Sequence, residues 1–373
     1  MTDWLVIYFS WLSLSSDNPW TEMPTADRFS PDLLALLRGV SRTFYLSVRV
    51  LPARLRQPIA VGYLLARAAD TLADTGRLTD AQRRIHLTRW AAAVKGPPAE
   101  GRVAQDAGEI ARTCAPLQDD PRERALIAAL PQCLVWLESL EAADRADVRR
   151  VMRLITQGQL LDIERFPQGQ TLHALATSAQ LNEYTYLVAG SVGEFWTELC
   201  IRHLPGFSQL PHERMRELGR AYGQGLQLVN ILRDAPADLA AGRCYLPLDA
   251  LHEAGVAPGE IAARPERFDV VWRRWHAQAR QDIDQGMRYA SAVNPRRVRA
   301  ASALPALLAA RTLSLLETAG ARPQAHRIKM PRHEVRAAAW RLALTFAARG
   351  PMLAQFQRLG ARAPGPGWDN RAP

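Results

Sequence analysis

The chain has 373 residues, 48% hydrophobic and 23% charged, which is enough apolar content for a sizeable core and excludes a disordered polypeptide. Its net charge of +10 comes almost wholly from arginine, since lysine stands only at 95 and 329, and points to an anionic partner: nucleic acid, lipid headgroup or phosphorylated small molecule. No arginine run is interleaved with stacking aromatics, which argues against nucleic acid, and the four cysteines show no C-x-x-C pair, which fits a reducing, cytoplasmic compartment.

In chain order, "WLVIYFSWLSL" (4–14) comes first, apolar but too short to span a bilayer, with Asp3 where a signal peptide carries positive charge. Residues 1–29 are expected to be a poorly ordered extension, with residues 1–22 alternatively preceding a true start at Met23; an interfacial anchor that makes peripheral membrane contact is the sharper alternative. From residue 30, apolar residues recur at helical spacing in "DLLALLRGV", "IAVGYLLARAADTLAD", "DAQRRIHLTRWAAAV", "RALIAALPQCLVWLESL", "DVRRVMRLITQGQLLDI", "YLVAGSVGEFWTELC", "RMRELGRAYGQGLQLVNILRD", "VVWRRWHAQARQDIDQGMRYA" and "EVRAAAWRLALTFAARGPML". Pro and Gly clusters such as "KGPPAEG" (95–101) and "LPGFSQLPH" (204–212) separate them, and none is long enough to be a linker. The pattern predicts one all-α domain over 30–350. A disordered tail is expected over 351–373, Pro/Gly-rich from 361.

Two of these helices carry acids where apolar residues are expected. In "ARAADTLADT", Asp70 and Asp74 lie one turn apart on one face, a like-charge pair that needs a cation; Arg67, one turn earlier, could supply it as a solvated ion pair. In "QLVNILRDAPAD", Gln227, Asn230, Asp234 and Asp238 form one stripe at spacings of three, four and four, flanked by Leu226, Leu228, Val229, Ile231 and Leu232. Polar side chains in such company are mutually hydrogen-bonded or bound to something. Oxygen ligands of this kind suit Mg²⁺, which binds through one or two carboxylates plus phosphate oxygens, and the adjacent Arg67 and Arg233 suit the phosphates. Together they predict a metal-diphosphate site between two facing helices.

At these motifs the sequence resembles the squalene and phytoene synthase family, head-to-head prenyl transferases with an all-α isoprenoid synthase fold around a central apolar cavity. The resemblance rests on "SRTFYLSVRVLP" (41–52), "YLLARAADTLAD" (63–74), "YTYLVAGSVGEFW" (184–196) and "GLQLVNILRDAPADLAAGRCYLP" (225–247), in the family's order and spacing. It implies that Asp70, Asp74, Asn230, Asp234 and Asp238 hold Mg²⁺ and diphosphate, with Gln227 beside them. It further implies diphosphate contacts from Arg42, Arg67, Arg233 and Tyr63, assistance to ionisation and proton removal from Tyr184, and cation stabilisation from the ring of Phe44. Lys329, in "HRIKMPR", is a loose match to a second-diphosphate contact. The implied reaction joins two identical allylic diphosphates through a cyclopropyl diphosphate, with hydride from NADPH where the product is reduced.

Three departures bear on this reading. Ala73 and Ala237 stand where the two motifs usually carry acids. Pro236 removes a helical N–H between Asp234 and Asp238 and is expected to kink that turn. A tyrosine expected in "LLAARTLSLLE" is replaced by Arg311 and Thr312. "DTLAD" and "GRCYLP" favour a squalene synthase acting on farnesyl diphosphate over a phytoene synthase acting on geranylgeranyl diphosphate. A noncatalytic subunit, motivated by the two alanines, and a helical nucleic-acid-binding or scaffold protein are the rivals. Gly190 and Gly193 have two compatible readings, close helix packing and room for an alkyl tunnel, while Trp196 is expected in the core. Oligomeric state and membrane contact stay open.

Overall fold

A computed structural model describes residues 30–96, 102–169, 171–320, 328, 330–345 and 347–361. The expectations for residues 1–29 and for Lys329 therefore lie outside the described residues, as does the side chain of Arg42.

The helices are α1 (Pro31–Val40), α2 (Arg42–Val50), α3 (Ala53–Asp74), α4 (Asp80–Lys95), α5 (Arg102–Cys114), α6 (Pro121–Ala128), α7 (Leu130–Glu138) and α8 (Ala142–Arg165). After them come α9 (Ser178–Thr185), α10 (Ser191–His203), α11 (His212–Ala240), α12 (Leu248–Glu253), α13 (Pro265–Ala292), α14 (Arg296–Ala319), α15 (Arg332–Leu344) and α16 (Arg349–Gly360). A π-helical turn, Tyr186–Gly190, joins α9 to α10. Extended structure among the described residues is slight: β1 (His173–Ala174) and β2 (Arg243–Cys244) pair in parallel, and Ser208 bridges Val293.

The all-α prediction holds. Local signals set several boundaries: Thr79 and Gln82 cap α4 reciprocally, and Asp120 accepts from the Arg122 N–H ahead of Pro121 at the start of α6. One boundary needs correction, because α16 runs to Gly360 and the tail expected from residue 351 is helical over its first ten residues. Met352 and Gln355 bury against the bundle there, and Gln355 donates to the Ala338 carbonyl at 3.0 Å. Pro236 does not interrupt α11, which continues through it to Ala240.

Two long helices organise the domain. α3 packs against α4, α6, α7 and α8, while α11 packs along α13, α10 and α14. α8 touches both α3 and α10 and so ties the two halves. The close approach of α10 to α11 depends on glycine: a Cβ on Gly193 would sit 1.9 Å from the Gly219 carbonyl oxygen. Gly190 and Gly193 thus follow their packing reading, and Trp196 is in the core as expected. α14 is long and apolar enough to cross a membrane, but 67% of its apolar window is buried inside the bundle.

Candidate active site

Each acidic stripe ends in the last turn of its helix, at Asp74 and at Asp238, where the backbone dipole is negative and the turn itself carries no basic residue. On α3, Asp70 is buried and Asp74 lies exposed at the rim. Burial pushes the Asp70 carboxyl up from 3.8 to about 7; Arg67 pulls it down, and Asp74 pushes it further up. Its direct partner is the Gln159 amide of α8, which donates to Oδ1. Arg67 is ion-paired to Glu123 of α6, which anchors the guanidinium beside Asp70.

On α11, Gln227, Asn230 and Asp238 are buried and Asp234 is half-buried. Arg233 grips Asp234 with two bonds of 2.9 and 2.7 Å, and Arg243 of β2 reaches Asp238 at 3.3 Å. The Asp238 carboxyl is nonetheless pushed up to about 6, chiefly by burial and despite Arg243. Asn230 donates to Gln227 at 3.5 Å, while its own Oδ1 is buried with no hydrogen-bond partner among the described residues.

The two stripes share one electrostatic neighbourhood, through residues that sequence reasoning missed. Asp162 of α8 accepts the Tyr245 hydroxyl at 2.7 Å. Its carboxyl is pushed up to about 7 by burial, with Tyr245 and Arg243 pulling it down and both Asp74 and Asp238 raising it further. Arg243 in turn feels Asp238, Asp162 and Asp74. Tyr184, buried on α9, hydrogen-bonds Tyr245 and stacks on its ring at 5.2 Å; burial first, then the charge of Asp162, hold its hydroxyl well above the usual tyrosine range. A chain Tyr184–Tyr245–Asp162 therefore runs between the acidic helices. The available signal was Asp162 itself, a carboxylate inside the apolar run "QLLDI", and Arg243 and Tyr245 in the quoted "GRCYLP".

Phe44 and Tyr63 stack at 3.7 Å, both buried, so Phe44 has at most one ring face left for a ligand. Arg311, where a tyrosine was expected, makes a two-bond pair with Glu334 at 2.6 and 3.0 Å and ties α14 to α15. The charges of Asp74 and Asp238 thus both reach Asp162 and Tyr184, while Asp70 is coupled to Asp74 and Asp234 presses on Asp238.

An all-helical bundle with acidic stripes ending two long helices defines an isoprenoid-synthase fold. Solved structures agree at the level of fold: TcSQS bound to a ligand superposes with a TM-score of 0.67 at 18% identity, covering 88% of this chain and 89% of that one. A dehydrosqualene synthase complex superposes at 0.55 with 20% identity over 85% and 95% of the two chains. The squalene synthase HpnC from Alicyclobacillus acidocaldarius gives 0.50 at 20% identity over 77% and 92%. The squalene/phytoene synthase family profile matches residues 37–334, and the chain belongs to that family. Its members are prenyl transferases of isoprenoid biosynthesis. Among curated relatives, bifunctional lycopene cyclase/phytoene synthases from Arthroderma gypseum and Neurospora crassa are 27% and 28% identical over 239 and 249 residues. Each match covers 64% of this chain but only 38% and 39% of the relative.

The family generally uses Mg²⁺ to bind prenyl diphosphate. Among the described residues no three His, Cys, Asp or Glu side chains converge to hold a metal by themselves. The donors fit an ion shared with phosphate: buried carboxylates at negative helix ends, and an unpartnered amide oxygen on Asn230.

Proposed function

We propose that the protein condenses two farnesyl diphosphates head to head, through presqualene diphosphate, to squalene or a related thirty-carbon hydrocarbon. What supports this reading is the buried Asp162 between the helices, which accepts the Tyr245 hydroxyl at 2.7 Å and feels the charges of both Asp74 and Asp238. Asp70, Asp74, Asn230, Asp234 and Asp238 would hold Mg²⁺. That ion, when bound, draws negative charge from the departing diphosphate.

The rest of the work falls to the chain's own groups. Arg67 and Arg233 stand next to the two stripes, where their guanidinium forks suit phosphate oxygens. Gln159 orients the Asp70 carboxylate through its amide. Proton removal is assigned to the Tyr184 oxygen, whose hydrogen bond to Tyr245, and the bond from Tyr245 to Asp162, give the proton a path to a carboxylate. Phe44, backed by Tyr63, offers a ring face to cationic intermediates. Arg42, Gln227 and Lys329 keep the substrate-binding roles their motifs imply.

"DTLAD" and "GRCYLP" support farnesyl diphosphate as substrate. A second reading, a phytoene synthase acting on geranylgeranyl diphosphate, is favoured by the names of the fungal relatives. Incubating the pure protein with Mg²⁺ and each diphosphate, with and without NADPH, separates the two by carbon number of the hydrocarbon. A thirty-carbon product made only from farnesyl diphosphate supports the first reading, and a forty-carbon one the second. Accumulated presqualene diphosphate assigns the first half-reaction alone. No turnover of either diphosphate rejects both in favour of a noncatalytic subunit.

A further inference from the structure

Of the seven large hydrophobic side chains exposed among the described residues, three lie on α15 and α16, at the described end of the chain. On α15, Trp340 is 52% exposed and Leu344 is 71% exposed, one helical turn apart and so on one face. Leu353 of α16 is also exposed. Residues 330–361 contain five arginines, at 332, 336, 341, 349 and 358, and a single acid, Glu334. Arg311 of α14 already engages both oxygens of that acid. None of the five arginines has a carboxylate partner among the described residues. Arg349 turns instead to the carbonyls of Ser291 and Val293 and to the Asn294 side chain, at 2.6, 3.4 and 3.0 Å. Positive charge extends onto α14 too: burial first, and then the charges of Arg349 and Arg296, hold the Arg299 guanidinium below the usual arginine range.

We propose that the Trp340–Leu344 face of α15, with the arginines of α15 and α16 around it, docks on an anionic lipid bilayer. A tryptophan and a leucine flanked by unpaired arginines match what a headgroup boundary offers, an apolar layer beneath fixed negative charge. A second copy of the chain matches it poorly. A two-fold contact through this face would set arginines of one copy against arginines of the other. The assignment is independent of the substrate of the candidate active site and uses none of that site's residues.

The test uses the full chain. All four native cysteines are buried, so a Leu344→Cys variant takes an environment-sensitive fluorophore at one place. The expected result is a blue shift with vesicles of phosphatidylcholine and one-third phosphatidylglycerol, and none with phosphatidylcholine alone. Trp340→Ser with Leu344→Ser is expected to lower co-sedimentation with anionic vesicles about tenfold. Arg336→Gln with Arg341→Gln is expected to lower it about fivefold per arginine, with a shallower salt dependence. Melting temperature and vesicle-free turnover should not change in these surface variants. A label that stays in water while the protein still sediments overturns the proposal and moves the contact elsewhere, with residues 4–14 as one such place. Sedimentation with neither vesicle overturns it as well. So does a lipid-free dimer that the Trp340→Ser, Leu344→Ser variant converts to monomer.

Discussion

At the end of α3 the buried Asp70 is hydrogen-bonded by a neutral amide, that of Gln159, with Arg67 nearby but ion-paired to Glu123, whereas at the end of α11 Asp234 and Asp238 bond directly to Arg233 and Arg243. The chemistry of the two ends is alike, yet their compensation differs. On α3, ionising Asp70 at neutral pH works against burial by on the order of 4 kcal/mol, the free-energy equivalent of a shift from 3.8 to about 7. A divalent cation offsets that directly. On α11, Arg233 and Arg243 already supply much of the positive charge, so any bound cation would share those carboxylates with guanidinium groups that also suit phosphate. On this reading the first end would be the stronger draw for metal, and the second would offer both carboxylates and arginines to a metal-diphosphate.

Substitution is the severest test of that contrast. Asp70→Asn should reduce turnover about 100-fold or more, while Asp238→Asn, already facing an arginine, should cost about tenfold. Equal losses would remove the asymmetry. The same Asp70→Asn change should raise the melting temperature of metal-free protein at pH 8, since it deletes a buried charge; a lower melting temperature would mean that the carboxylate is stabilised by something else.

Tyr245→Phe comes next. It keeps the ring that stacks on Tyr184 but removes the donor to Asp162, and kcat should fall about tenfold or more with KM little changed. An unaltered kcat would exclude the tyrosine pair from proton movement. Gln159→Leu leaves Asp70 without its amide, and the Mg²⁺ concentration for half-maximal activity should rise about tenfold.

The smallest effect is on pH dependence. Asp70 and Asp162 bind protons more tightly folded than unfolded, so the folded state carries more protons between their ordinary 3.8 and about 7. Stability of metal-free protein should therefore be fullest below pH 4 as far as these two groups are concerned. It should decline through pH 7 and flatten above, and Asp70→Asn should shallow the decline. A melting curve that climbs over that range as steeply in the variant as in the parent would contradict the raised carboxyls.

Much of this was legible in the sequence. The period of apolar residues dictated helices from residue 31 onward, and the i, i+4 spacing of Asp70 and Asp74 and of Asn230, Asp234 and Asp238 fixed each set on one face. The motifs named the family. Where the reading erred, the cause was local and physical: a disordered tail is expected from residue 351, yet Met352 and Gln355 find burial against the bundle, and the helix holds to Gly360. Pro236 stands four residues before the end of α11, where few helical N–H bonds remain to be lost, and the helix continues through it to Ala240.

The sequence alone determined which residues are helical and which faces are acidic, because both follow from neighbours a few positions apart. Only the tertiary structure decided what those faces meet. Gln159 reaches Asp70 across 89 residues and Tyr245 reaches Asp162 across 83, encounters set by the packing of α8 between α3 and α10 and by the short pairing of β1 with β2. Burial is likewise a property of the assembled bundle. It raises the carboxyls of Asp70 and Asp162, and no stretch of sequence carries it by itself.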